Sequence, residues 1–379
     1  MILRREGETF AMAKILMFRP YVNEKAIEFV SQTLRSGWIG EGPMVRNFER
    51  RIGELVNSPY PVAVNSGTSA LHLALLIAGV KPGDEVITTA QTMLATTQAI
   101  LAAGARPVYA DSEYTTGNID AADISKRITP STRAILTVDW GGYPCDYDAI
   151  LEVAAKHGLP VIEDAAHALG AVYKSKPVGS ICPFTCFSFQ AVKLITAGDG
   201  GMLCLLNDKT YESAFRLRWY GIDRLRRQPS ILGEPMWNVR ELGYKYHMND
   251  IAASIGLGNL EDFQNLLMRR HKIVALYRDG LDGVPGITLF ERKSDRQSAD
   301  WLFSVHVQRR EELCRMMRAK DIEVSVVHLR IDRNQICGGE REDLPQLARF
   351  TETHVSLPLH NYLTDDEVEY VISSIRTGW

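Results

Sequence analysis

Cysteine is scarce in this sequence, and most of its cysteines lie far apart. Among 379 residues there are six, of which only Cys182 and Cys186 are close together. No second close pair is present to complete a four-cysteine zinc site, and a disulfide framework is unusual in a chain of this length without a secretion signal. The pattern predicts reduced thiols and no metal site.

Long apolar runs and an excess of one charge are also absent. Residues 1–18 contain only short apolar pieces, interrupted by charged residues such as Arg5 and Lys14, so they do not resemble a signal peptide or a membrane span. A net charge of −3 gives no sign of a nucleic-acid or membrane partner. We therefore expect a cytoplasmic protein that binds neither.

An alternation of strand and helix patterns fills the first two-thirds of the sequence. Short apolar segments such as 85–88, 106–110 and 133–138 are separated by helical stretches, and strands joined by helical crossovers form parallel sheets. A chain of 379 residues is long for one core. We predict two domains, of which the first, residues 1–250, is a large α/β domain with a mostly parallel central sheet.

The pattern changes after residue 250. One long helix is predicted over 251–281, followed by a short strand over 301–307 and a final amphipathic helix over 364–376. Residues 251–379 are therefore predicted to form a smaller C-terminal α+β domain.

Three polar loops follow predicted strands, where open α/β sheets bind their ligands. The first is Asn-Ser-Gly-Thr-Ser at residues 65–69, directly before an apolar helix. Gly67 lets a ligand approach the backbone, and Thr68, Ser69 and the helix N-terminus can bind a phosphate. The same residues suit an ordinary helix cap, so this loop alone leaves both interpretations open.

The second loop places two carboxylates at the end of an apolar strand, in the sequence Val161-Ile162-Glu163-Asp164. A carboxylate in such a place could meet a cationic ring nitrogen, and its burial would be costly without such a partner. A helix cap is the competing interpretation.

The third loop carries a lysine, Lys193, within the apolar stretch 186–197, and three glycines follow closely. Burial disfavours the charge of a lysine and makes its amine a usable nucleophile for aldehydes. A surface lysine whose stem lies along apolar side chains is the competing interpretation. A phosphate site, a carboxylate for a pyridine nitrogen and a Schiff-base lysine are together what pyridoxal 5′-phosphate (PLP) requires.

The sequence resembles the DegT/DnrJ/EryC1/StrS group of sugar aminotransferases, within the aspartate-aminotransferase superfamily (fold type I) of PLP enzymes. No single motif is specific, but jointly the motifs are. They are residues 36–40 (SGWIG), 65–75 (NSGTSALHLAL), 82–87 (PGDEVI), 104–111 (GARPVYAD), 161–171 (VIEDAAHALGA), 188–201 (SFQAVKLITAGDGG), 243–256 (GYKYHMNDIAASIG) and 356–360 (SLPLH).

The resemblance implies a role for each matching residue. Lys193 would carry the cofactor as a Schiff base, and Asp164 would pair with the pyridine nitrogen. Gly67, Thr68 and Ser69 match the motif that holds the cofactor phosphate, and Ser188 matches a second phosphate ligand. His167 stands where the family usually has a glutamine or a related polar residue near the ring oxygen of the cofactor.

Three positions depart from the family pattern. Lys245 replaces an asparagine that reaches the phosphate site of the neighbouring subunit. Met93 replaces an aromatic residue that covers the cofactor ring, and Trp140 is a candidate to restore some stacking. These departures concern the substrate and the ring contacts, and they leave the lysine chemistry unchanged.

The implied activity is transfer of an amino group from an amino acid, expected to be L-glutamate, to a keto-sugar nucleotide in amino-sugar biosynthesis. The resemblance also implies a homodimer with shared active sites. For the substrate, His328 and Arg330 of the C-terminal domain are the best polar candidates, and Trp38 and Tyr220 are further ones.

Three other functions remain open on the sequence. A PLP-dependent sugar-nucleotide dehydratase could use the same fold, although the branch that replaces the lysine with histidine is disfavoured by Lys193. A non-catalytic regulatory or binding protein would have no need of the Lys193, Asp164 and Ser188 set. An amino-acid aminotransferase needs an arginine for the substrate carboxylate, and the C-terminal domain has several.

Overall fold

The computed structural model describes residues 14–224 and 228–379. In chain order, the α-helices of this part are α1 (Glu24–Ser36), α2 (Pro43–Val56), α3 (Gly67–Ile77), α4 (Leu94–Ala102), α5 (Ala121–Arg127), α6 (Tyr147–His157), α7 (Asp208–Leu217), α8 (Asp250–Leu260), α9 (Phe263–Leu281), α10 (Arg310–Ala319), α11 (Pro345–Thr353) and α12 (Asp365–Arg376).

The strands of the same residues are β1 (Tyr60–Val64), β2 (Glu85–Thr89), β3 (Arg106–Ala110), β4 (Thr132–Val138), β5 (Val161–Asp164), β6 (Val172–Tyr173), β7 (Lys176–Pro177), β8 (Phe184–Ser188), β9 (Gly201–Leu205), β10 (Gln228–Pro229), β11 (Pro235–Met236), β12 (Ile287–Leu289), β13 (Arg296–Gln297), β14 (Phe303–Val307) and β15 (His354–Leu357).

The central sheet has the strand order β1-β9-β8-β5-β4-β2-β3. Only β9 runs against its neighbours, β1 and β8, and the remaining pairs are parallel. The prediction of an α/β fold with a mostly parallel sheet is confirmed. Since β4, β5 and β8 run parallel in register, with Val138 beside Asp164 and Asp164 beside Cys186, their carboxyl ends meet at one edge, where ligands bind in such sheets.

Helix α3 lies against this sheet and carries the first loop to that edge. Every residue from Ser69 to Leu75 is buried, because the helix contacts β8 and β9 on one side and α4 and α7 on others. A helix without a polar face needs such surroundings. Its N-terminus is therefore held firmly beside the end of β8.

A second, antiparallel sheet of order β12-β14-β15 forms the C-terminal part. Its core combines Val305 and Val355 with Tyr277 of α9 and Val371 of α12. Ile15 of the N-terminal segment joins this core through a bridge to Ile322. Meanwhile α8 packs on α1 and α2, beside the central sheet. The division of the chain at residue 250 stays a prediction.

The long helix predicted over 251–281 is wrong in one respect, because two helices, α8 and α9, occupy this range. They are separated at Glu261–Asp262, where side chains tie the chain to the segment before α1. The carboxylate of Asp262 accepts a hydrogen bond from the hydroxyl of Tyr21, and Asn259 Oδ1 accepts one of 2.8 Å from the backbone N–H of Asn23. In the described residues, none of the helices has the length and apolar character needed to cross a membrane.

Candidate active site

The two neighbouring carboxylates at the end of β5 point to opposite faces of the sheet, as side chains of a strand must. Glu163 is fully buried and accepts a 2.7 Å hydrogen bond from Thr185 Oγ1. Asp164 faces the other way, where its Oδ2 accepts 2.8 Å from Thr96 Oγ1 and its Oδ1 accepts 3.2 Å from the N–H of Ala166. The strand alternation therefore assigns Asp164, and not Glu163, to the α3 side of the sheet.

Burial raises the pKa of Asp164, while the donors from Thr96 and Ala166 and the nearby amine of Lys193 act against this rise. Burial disfavours a charged carboxylate, and hydrogen bonds to the charged form favour it. A positively charged ligand group at this position would stabilise the anion further.

Lys193 lies in the irregular segment between β8 and β9. This segment is closed by two backbone hydrogen bonds, from Phe189 N–H to Gly200 O and from Ala197 N–H to Phe189 O, both 2.8 Å. Lys193 Nζ lies 4.0 Å from the centre of the Trp301 ring. Burial lowers the pKa of Lys193 to about 7, against the attraction of Asp164, and the charge of Arg270 lowers it further. The amine is thus uncharged in a large fraction of molecules at neutral pH.

The N-terminus of α3 lies directly beside the end of β8. Ser66 caps the helix by accepting 3.1 Å from the N–H of Ser69, and the N–H groups before it in the first turn have no intrahelical acceptor. A Cβ added at Gly67 would lie 3.0 Å from the Cβ of Ser188. The absence of that side chain leaves the small space between Ser188 and the helix that an anion needs.

Ser69 has a different environment from the other predicted phosphate ligands. Its hydroxyl donates 2.6 Å to Asn65 Oδ1 and lies 2.9 Å from Ser66 Oγ. Ser69 therefore stabilises the loop. Ser66, which the sequence analysis did not select, lines the cavity.

His167 lies flat against Trp301, with ring centres 3.7 Å apart and an angle of 13° between the planes. Burial lowers the pKa of His167 well below its ordinary value, and the neighbouring Lys193 and His328 act in the same direction. The imidazole is therefore neutral. Its Nδ1 is buried and has no hydrogen-bond partner within the described residues, so an oxygen or nitrogen atom of a ligand could form a hydrogen bond with it.

These side chains surround a cavity of about 430 Å³, which is within the usual range for small-molecule sites. Its lining contains eight of the residues predicted for the site, namely Gly67, Thr68, Met93, Asp164, His167, Ser188, Lys193 and His328. Met93 stands at the rim with about half of its surface exposed. In the part of the chain that the structure describes, no cluster of three or more His, Cys, Asp or Glu residues could hold a metal ion.

The other predicted residues do not line this cavity. Lys245 is exposed and its Nζ lies 3.7 Å from the ring centre of Trp219, while Trp38 and Tyr220 are largely exposed elsewhere. Arg330 is fully buried in an ion pair with Asp332, through Nε–Oδ1 and Nη2–Oδ2 contacts of 2.7 and 2.5 Å. The substrate roles of Trp38, Tyr220 and Arg330 stay predictions.

Sequence reasoning missed Trp301, whose ring centre lies 4.0 Å from the amine of the lysine. Trp301 is the first residue of the strand predicted over 301–307, and it belongs to none of the motifs described for the sequence. Trp140, proposed to restore stacking, instead lies beside the cavity lining and contacts His167 edge-on at 5.9 Å. Phe18, from the N-terminal segment, stacks on Trp301 with ring centres 5.3 Å apart.

Comparison with known proteins assigns the chain to a family. The model of the DegT/DnrJ/EryC1/StrS aminotransferase family matches residues 20–376. The chain belongs to this family. The resemblance described for the sequence is confirmed, as is a fold like that of PLP-dependent sugar aminotransferases of fold type I.

Individual relatives extend the comparison. The spore coat polysaccharide biosynthesis protein SpsC of Bacillus subtilis is 36% identical over 94% of this chain and 95% of its own. The crystal structure of the sugar aminotransferase CalS13 from Micromonospora echinospora is 35% identical, has a TM-score of 0.91 and covers 96% of this chain and 100% of its own.

The PLP form of Spr1654 from Streptococcus pneumoniae is 31% identical, has a TM-score of 0.89 and covers 96% of this chain and 98% of its own. PLP dependence is general to the family, so the cofactor predicted from the sequence is confirmed at the level of the family.

Proposed function

We propose that this protein transfers an amino group from an amino acid, L-glutamate in the first instance, to a keto-sugar nucleotide, and that Lys193 is its catalytic lysine. The observation that carries the proposal is the cavity itself. One space contains a partly buried amine whose pKa is lowered to about 7, a buried carboxylate at the end of β5 and the N-terminus of α3. An amine of this kind attacks aldehydes at neutral pH.

The helix end of the cavity fits the phosphate of PLP. Thr68 and Ser188 contribute hydroxyls, the first turn of α3 contributes backbone N–H groups, and Gly67 leaves the space between them open. The helix dipole adds a partial positive charge at the same point. We propose that these three residues hold the phosphate, with Ser66 completing the wall.

Other residues of the cavity lining fit the pyridine ring. Asp164 would hold the proton on the ring nitrogen, and the hydroxyl of Thr96 supports the carboxylate in its charged form at 2.8 Å. His167 is neutral and has an unpaired Nδ1, so it would meet the ring oxygen. Met93 would cover the face of the ring from the rim of the cavity.

When bound, PLP supplies an aldehyde for amine exchange and a protonated ring that accepts electrons. The remaining chemistry belongs to Lys193. In the first half-reaction its neutral amine would remove the proton from the carbon of the amino acid that carries nitrogen, and in the second half-reaction its protonated form would deliver a proton to the sugar carbon that receives the nitrogen. A pKa of about 7 suits both tasks, because the amine must be free of its proton in one step and must carry it in the next.

The sugar substrate would enter beside His328 and Phe18, which also line the cavity. We further propose a cytoplasmic homodimer. Lys245 is exposed and does not line the cavity of its own chain, which is consistent with a role at the phosphate site of a second copy. Sedimentation of the purified protein would test the dimer.

The decisive experiment combines purified holoenzyme with glutamate and a panel of GDP-, UDP- and dTDP-linked keto sugars. Formation of an amino-sugar nucleotide with equal release of 2-oxoglutarate supports the proposal. Loss of a sugar hydroxyl would indicate a dehydratase, amination of keto acids alone would indicate an amino-acid aminotransferase, and no conversion with any donor would indicate a binding protein.

The variant Lys193→Ala tests the assignment of the lysine. We expect turnover to fall below detection while the circular dichroism spectrum and thermal transition stay close to those of the wild type. Retained amino transfer in this variant would refute the role of Lys193.

A further inference from the structure

Trp301 connects three parts of the candidate site. Its ring stacks on His167 at 3.7 Å, lies 4.0 Å from Lys193 Nζ, and is covered by Phe18. Its indole N–H donates 3.1 Å to the carbonyl of Val192, the residue before the lysine. A displacement of this ring would therefore move both the lysine segment and the imidazole.

The backbone that carries Trp301 is held in an unfavourable conformation. Asp300, the preceding residue, has φ of 51°, a left-handed conformation that is unfavourable for a residue other than glycine. This backbone corner at Asp300–Trp301 persists only where surrounding hydrogen bonds hold it. The N–H of Asp300 donates 3.0 Å to Ser298 Oγ, and that of Trp301 donates 3.0 Å to Gly141 O.

The carbonyls of this corner are bound by a buried arginine. Arg270 Nη1 donates to the carbonyls of Asp300 and Trp301 at 3.3 and 3.2 Å, and its Nε donates 3.1 Å to Asn361 Oδ1. Arg270 lies on α9 and is only 3% exposed. Among the described residues no carboxylate lies within ion-pair distance of it, although the Asp300 carboxylate favours its charge from further away.

We propose that Arg270 is a positioning residue for the catalytic lysine. Its guanidinium holds the Asp300–Trp301 corner through hydrogen bonds to the two carbonyls, and this corner holds the indole of Trp301 against Lys193 and His167. The inference rests on the proposed function of Lys193. It adds a residue on another helix, outside the cavity, that governs the geometry and the protonation of the amine.

The charges around the amine support the same conclusion. Asp164 attracts its proton, Arg270 repels it, and His167 and His328 are neutral because burial lowers their pKa values. Burial lowers the pKa of Arg270 to about 10, so it stays charged at neutral pH. Removing Arg270 deletes a cation that favours the neutral amine. It also loosens the indole that helps to bury Lys193, and burial is the largest cause of the lowered pKa, so both changes raise the pKa of Lys193.

The test uses Arg270→Met, which removes charge and donors, and Arg270→Lys, which keeps the charge but not the planar pair of donors. Arg269 is the matched control, because it is the next residue of the same helix and binds Asp365 and the Leu363 carbonyl near the surface. Competitive acetylation of the cofactor-free protein, read by mass spectrometry with exposed Lys126 as internal reference, gives the pKa of Lys193.

We expect Arg270→Met to raise the pKa of Lys193 by about one unit and Arg270→Lys to raise it by less. In the holoenzyme, kcat should fall about tenfold in Arg270→Met, equivalent to ~1.4 kcal/mol, with little change in KM for the amino donor. Arg269→Met and Arg269→Lys should leave both quantities as in the wild type.

An unchanged pKa of Lys193 in folded Arg270→Met would overturn the proposal. If that variant does not fold, Arg270→Lys decides, and equal values for it and Arg269→Lys would overturn the proposal as well. The acetylation measurement needs no substrate, so a wild-type enzyme without amino-transfer activity would contradict the proposed function and still leave this test intact.

Discussion

The hydroxyl of Thr96 offers a direct test of how Asp164 is kept charged. It donates 2.8 Å to Asp164 Oδ2 inside the protein, and it lies 2.8 Å from the hydroxyl of Thr92, so a chain of donors runs from Thr92 through Thr96 to the carboxylate. The substitution Thr96→Val keeps the shape of the side chain and removes the donor. The side chains of Thr92 and Thr96 are both fully buried, so water cannot readily replace the lost hydrogen bond to Asp164.

The size of the effect follows from the charge on the acceptor. A hydrogen bond to a charged group contributes about 1.5–3 kcal/mol, and one pKa unit corresponds to about 1.4 kcal/mol. Burial already raises the pKa of Asp164, and the bond from Thr96 opposes this rise. Its removal should therefore raise the pKa of Asp164 by about 1 to 2 units.

The measurement is the pH dependence of kcat in the holoenzyme. Since Asp164 must be ionised to hold the ring proton, activity falls as the pH decreases through its pKa. In Thr96→Val the acidic limb should move upward by about 1 to 2 pH units, with a smaller change on the plateau.

Thr97→Val is the matched control, because Thr97 is equally buried on the same helix and its hydroxyl lies 3.2 Å from that of Tyr109. Thr96→Val should lose about 1.5–3 kcal/mol of stability at neutral pH, and Thr97→Val, whose hydrogen bond joins two neutral groups, about 0.5–1.5 kcal/mol. An acidic limb that coincides in Thr96→Val, Thr97→Val and the wild type would refute the reasoning.

Three further predictions concern the rest of the site. Uptake of PLP by the cofactor-free protein should accelerate with pH through about 7, because the amine of Lys193 is the nucleophile; a stopped-flow rate independent of pH would contradict this. Gly67→Ala should weaken PLP binding about tenfold, whereas Gly40→Ala, where a Cβ meets nothing within 4 Å, should not, as equilibrium titration can show. Arg330→Met leaves Asp332 buried without its cation, so a denaturation curve should show a loss of about 3–5 kcal/mol of stability, while KM for the substrate stays unchanged. Unchanged stability with a raised KM would make Arg330 a substrate ligand.

Much of the fold was predictable from local patterns. The limits of β3 agree with the sequence prediction to the residue, and Gly104 precedes the strand in a left-handed conformation. The ends of α1 also follow local signals, because Asn23 caps the helix and Gly37 ends it in a left-handed conformation. The break between α8 and α9 was not predictable in this way. It depends on Tyr21 and Asn23, which lie more than 200 residues earlier in the chain.

For the candidate site, the sequence by itself determined which chemical groups are available. They are the amine of Lys193, the carboxylate of Asp164 and the backbone at Gly67, which a ligand can approach closely because it has no side chain. These belong to motifs of adjacent residues at strand ends, and parallel strands bring such ends together. Only the tertiary structure decided what surrounds the amine. Trp301, from the segment before β14, contacts the amine, and Arg270 of α9 acts on it through its charge. Contacts between residues so distant in sequence arise from packing, which leaves no local pattern.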